Sequence, residues 1–241
     1  MLGFGFDPLY LVLVAPAFAL GLWAQWKVKS TFGRYAQEPT ARGMSGADIA
    51  GAILRVNGIR DVSIEPADGF LSDHYDPRSR TLRLSRDVYL GRTVAAAGVA
   101  AHEVGHAIQH ANGYLPLQLR SALVPALSVT NTLAMPTLMV GFLLAASGWA
   151  LGTGVLWLGI ALFSVLVVFQ LVTLPVELDA SRRALAAIEK GSLVTGPELV
   201  GARRVLTAAA LTYVAAAVSS ILQLLYFVIR AGAFSSRDDD R

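Results

Sequence analysis

Cysteine is absent from the 241 residues, so neither disulfides nor thiolate metal ligands are available. Charge is scarce: Asp, Glu, Lys and Arg make up 15% of the chain, against about 25% in an ordinary soluble protein. From Ser121 to Val176, a run of 56 residues, there is no charged side chain at all. Hydrophobic residues fill the gap at 54% of the total, and the mean hydropathy is +0.54. These shortages exclude a soluble globule. They also argue against nucleic acid as a partner, despite a net charge of +3. The basic residues stand beside apolar runs, where membrane orientation accounts for them.

The apolar runs predict an integral membrane protein, mostly α, with four transmembrane helices. Residues 8–26 are uncharged, and nineteen residues at 1.5 Å each reach about 28 Å, near the thickness of a bilayer core. Asp7 precedes this run and Lys27 follows it, which favours a retained span over a cleaved signal peptide. The uncharged stretch 121–176 would be about 84 Å long as one helix, far too long for a single crossing. It is expected to fold back around Ser147-Gly148-Trp149, giving spans at 122–146 and 153–175. A fourth span is expected at 205–229, before a solvated tail over 230–241.

Lys and Arg number twelve in residues 27–120 and five in 177–204, against none in 1–7. That asymmetry sets both basic segments on the cytoplasmic side of the inner (plasma) membrane. The first of them is expected to hold a small α+β domain. Residues 30–45 read as a connector, and Ser45 as the cap of a short amphipathic helix. Arg80-Thr81-Leu82-Arg83-Leu84-Ser85 alternates polar and apolar residues like a half-exposed strand. As an edge strand it would suit pairing with an extended substrate backbone, or simply frame the domain.

Within that domain the chemistry concentrates in His102-Glu103-Val104-Gly105-His106, an H-E-x-x-H pattern. The surrounding stretch 93–112 is Ala-rich and free of proline, and Gly113 stands where a helix would stop. On a helix, His102 and His106 leave one face about 6 Å apart along the axis, so two imidazoles converge on one Zn²⁺. Glu103 lies one step round, placed to take a proton from a water rather than to ligate. A third ligand is needed. Glu177 is the first charge after the hairpin, which returns the chain to the membrane face it left. An acid at the end of a span also reads as a plain interfacial residue; H-E-x-x-H upstream favours ligation. His110 is eight residues from His102, about 12 Å along the axis, and reads as supporting or structural. His74 reads either as a solvated loop residue or as a donor to an oxyanion if its loop folds over the site.

The stretches LSDHYDPRSRTLRLS, VAAHEVGHAIQHA and PVELDASRRAL resemble those of bacterial YugP-type membrane zinc metallopeptidases. The pattern is also similar to gluzincin membrane proteases of the HtpX and CAAX-prenyl types. The resemblance implies a zincin-like catalytic domain with His102, His106 and Glu177 as zinc ligands and Glu103 as general base. It implies a peptide or membrane-protein substrate and a role in membrane protein quality control. Where the wider pattern puts a supporting Asp four residues after the ligand Glu, this chain has Ser181, with Asp179 at two residues on. Ser181 shares the face of Glu177 and can bond a histidine, whereas Asp179 should point elsewhere. Two alternatives stand beside the peptidase. One is a site-2-type intramembrane protease, although Leu178-Asp179 is followed by Ala180 rather than glycine. The other is a non-catalytic membrane scaffold with structural zinc.

Overall fold

The computed structural model describes residues 7–69 and 72–239, with side chains to Phe234. The chain is mostly helical. Helix α1 (Pro8–Tyr35) and α2 (Gly46–Val56) precede strands β1 (Ser63–Ala67), β2 (His74–Asp76) and β3 (Thr81–Ser85). A single turn, α3 (Arg86–Tyr89), leads into α4 (Val94–Ala111). The long helices α5 (Leu115–Ala146), α6 (Ala150–Lys190) and α7 (Gly196–Asp239) complete the chain. Helices α1, α5, α6 and α7 are each long and apolar enough to cross a membrane.

The residues divide into two compact units. One draws on Met1–Trp23, Leu119–Leu174 and Tyr213–Arg241. Its core joins Leu138 of α5, Leu156 and Phe163 of α6 and Phe227 of α7, with Phe163 edge-on to Phe227 at 5.2 Å between ring centroids. Gly141 permits the α5–α6 approach, since a Cβ there would lie 2.6 Å from the Leu156 backbone. Large apolar side chains such as Val12, Phe18 and Leu143 face outward, an arrangement that suits lipid rather than water.

The other unit comprises Ala24–Gln118 and Pro175–Thr212. Ser45 and Asp48 form a reciprocal cap that starts α2. Its apolar face, Ile49, Ile53 and Leu54, joins Leu82 and Leu84 of β3 and Val94 and Val104 of α4 in one core. Nearly all of α4 is buried. Its small residues allow other elements to surround it closely. The closest approach is at Gly105, where a Cβ would press on the Ala180 carbonyl of α6, 3.0 Å from its carbon.

Three expectations are corrected. Strand β3 is central, not an edge: the order is β1-β3-β2, parallel to β1 and antiparallel to β2. Thr81–Arg83 are paired on both sides, so this part of the strand has no open edge to offer a substrate. Arg83 sits between Glu65 at 3.7 Å and Asp76 at 3.8 Å, and the Ser85 amide and hydroxyl both donate to Asp73. Alternation along a strand reports its two faces and says nothing of its lateral neighbours, so edge and centre look alike in sequence. Second, α1 runs on to Tyr35 because Phe32 and Tyr35 enter the second unit's core; the connector begins later than expected. Third, α7 continues helically to Asp239, while the last two residues of the expected tail lie outside the described residues.

Gly105→Ala should lower the thermal unfolding midpoint, since overpacking costs about 1–3 kcal/mol even where side chains can yield, and here the obstruction is backbone. Zinc content of the purified variant should fall with it. An unchanged midpoint and zinc content would show that the α4–α6 contact tolerates a methyl group.

Candidate metal centre

Helix α4 starts at a Thr93 cap, whose side chain accepts from the Ala96 amide, and its register then fixes the histidines. His102 and His106 come one above the other, ring centroids 4.9 Å apart and planes at 84°. Helix α6 supplies Glu177 opposite them. Its Oε2 lies 3.1 Å from His102 Nε2 and 3.6 Å from His106 Nε2. One ligand atom from each of the three lies within 4.8 Å of the others. Glu177 is 2% exposed. Burial pushes its carboxyl up, but hydrogen bonds and charge from the two histidines outweigh that and hold it below the usual carboxylate range.

The donor set fits zinc. Ligand atoms about 2.0–2.1 Å from a tetrahedral Zn²⁺ lie about 3.3 Å from one another, close to the separations from Glu177 Oε2. Two neutral nitrogens and one anionic oxygen are an ordinary zinc complement, and three protein ligands leave one position open.

The ring nitrogens facing away from Glu177 are also held. Gln109 Nε2 donates both to the Val176 carbonyl, at 2.8 Å, and to Asp179 Oδ2, at 2.9 Å. Its amide hydrogens are thereby committed to two oxygens, and its carbonyl oxygen is turned to His106 Nδ1 at 3.0 Å. Nδ1 must carry a proton to satisfy that oxygen, so when the ring is neutral, as a metal ligand must be, the Nε2 lone pair is the one aimed at the site. His102 Nδ1 meets the Ser181 hydroxyl at 3.1 Å. Asp179 is buried and accepts from Gln109, Arg182 and Arg183. Burial raises its carboxyl, but these donors prevail and lower it overall.

The family assignment rests on more than this geometry. The chain matches, over residues 10–232, the family described as "putative neutral zinc metallopeptidase". It belongs to that family. The chain is 46% identical over 221 residues to the protein named "Putative membrane protease YugP" of Bacillus subtilis, covering 92% of this chain and 96% of the relative. No solved structure matches it.

Of the other residues singled out from the sequence, Glu103 is buried on α4, one position past His102. Ser181 and Asp179 stand around the histidines as described, the latter through Gln109 rather than directly. His110 lies on the same helix, but its Nδ1 bonds the Tyr75 hydroxyl at 2.8 Å, tying α4 to β2. His74 is exposed on β2, and its Nδ1 donates to the Ser72 carbonyl at 2.8 Å. Neither belongs to the group that could hold a metal ion. The role of Gln109 is not evident from sequence alone. Its signal was present, a polar residue three positions after His106 on an otherwise apolar helix, but its partners lie 67 and 70 residues away.

Glu177→Ala should sharply reduce zinc content in the purified protein, measured by elemental analysis. Gln109→Leu should keep all three donors yet weaken zinc about 10–100-fold, measured by competition with a chromogenic chelator. Wild-type affinity in the Gln109 variant would remove that residue from the support of His106.

Proposed function

We propose that this chain is an integral membrane zinc endopeptidase whose site faces the cytoplasm. The observation that carries the reading is the meeting of His102, His106 and Glu177 beside a buried Glu103. Zinc, when bound, would lower the pKa of the attacking water toward ~7 and polarise the scissile carbonyl. Glu103 accepts the proton of that water and passes it to the departing amine. His102 and His106 keep their orientation throughout because Ser181 and Gln109 hold their outer nitrogens. Glu177 contributes the negative charge that makes the site favour a cation.

The cytoplasmic orientation follows from the excess of Lys and Arg in residues 27–120 and 177–204. An even number of crossings by these helices supports both basic segments lying on one side. The substrate class that fits this placement is an exposed or unfolded segment of a membrane protein close to the bilayer, as quality control would require. A site-2-type arrangement is disfavoured because Asp179 is engaged by Gln109, Arg182 and Arg183 and stands outside the metal-binding group. A purely structural zinc is disfavoured because the group has three donors among the described residues, the catalytic rather than the closed complement.

Glu103→Gln should retain zinc and lose cleavage of an unfolded membrane-protein reporter by about 10²–10⁴-fold or more. Full activity in the zinc-loaded variant would reject Glu103 as the base.

A further inference from the structure

Away from the metal centre, and within the second unit, a cavity of about 580 Å³ opens between α1 and α7. Lys27 and Arg34 line it from α1, Arg203 and Arg204 from α7, and no acidic residue lines it. Among the described residues, the carboxylate paired with any of the four cations is Glu38, 3.6 Å from Arg34 in an exposed contact. Arg204 donates instead to the Tyr35 hydroxyl at 3.2 Å, and Arg34 stacks over the Tyr35 ring at 5.4 Å. Four like charges round one cavity repel one another unless an anion joins them.

The position of these cations in the sequence indicates which anion. Lys27 is the first charge after the uncharged run 8–26, and Arg204 is the last before the uncharged run 205–229. Both helices therefore change from lipid-compatible to polar at the cavity. Ala208 and Leu211 extend its wall on the apolar side. A free phosphate would need no apolar wall and no particular depth. A phosphodiester carried on acyl chains arrives at this boundary, with its chains toward the apolar runs. The geometry points to a site for the headgroup of an anionic phospholipid, bound through its phosphate by Lys27, Arg203 and Arg204. Basic pockets between membrane helices take such headgroups by the same electrostatics.

The test compares the full chain in nanodiscs of phosphatidylcholine alone and of phosphatidylcholine with phosphatidylglycerol. A third arm adds millimolar inorganic phosphate to phosphatidylcholine discs. Native mass spectrometry from mixed lipid should retain phosphatidylglycerol at least tenfold over phosphatidylcholine, and phosphatidylglycerol should raise the unfolding midpoint. Lys27→Gln with Arg203→Gln should reduce that retention at least fivefold, whereas Arg55→Gln with Arg60→Gln, which removes two cations outside the cavity, should not. Equal retention of the two lipids overturns the site. So does an equal loss in the Arg55/Arg60 control, which would make the preference a general charge effect. Equal stabilisation by inorganic phosphate assigns the cavity to a free anion and rejects the lipid. Should the Lys27/Arg203 variant fail to unfold cooperatively, the wild-type lipid comparison decides alone. No readout uses peptidase activity, so the outcome is independent of the proposed reaction.

Discussion

Two helix backbones meet where Gly105 lies on Ala180, and the candidate metal centre depends on that contact. Imidazoles on α4 reach a carboxylate on α6 only if the axes come close, and nothing but a missing side chain allows it. The second glycine-like feature of α4 is its run of alanines, buried almost end to end. A helix this small in girth can be packed on several sides at once. Hydrophobic burial around it then sets the position of residues whose polarity would otherwise resist enclosure.

Polar groups taken into that enclosure are matched in turn. His106, Gln109, Val176 and Asp179 form one hydrogen-bonded chain, and Arg182 and Arg183 close it at the outer end. Each buried polar atom in the chain has a partner whose own needs are also met. Such fully satisfied networks favour one arrangement over its alternatives.

Much of this was legible in the sequence, for physical reasons. The four long apolar helices announce themselves by composition, since a bilayer tolerates little else over 20 residues. H-E-x-x-H is local, so helix periodicity alone puts His102 and His106 on one face. Glu177 stands out in the sequence as the first charge after a long uncharged gap, and the fold brings its carboxylate beside both histidines. Gln109 does not stand out, because its meaning comes from Val176 and Asp179, on a helix that only folding brings near. The central place of β3 was lost likewise: a strand's neighbours are a matter of topology, not of its own pattern. The full length of α1 is hidden in sequence because polar residues after Lys27 mask Phe32 and Tyr35, which the core takes in.

The Gln109 amide has a further consequence. Its three bonds are all to protein atoms, so the orientation of His106 is settled by folding and does not wait for an ion. That differs from a zinc-finger arrangement, whose chains collapse only around their metal: here His106 is held by hydrogen bonds within the fold. Chelation should therefore empty the centre while leaving the helices in place, and returning zinc should restore it without a refolding step.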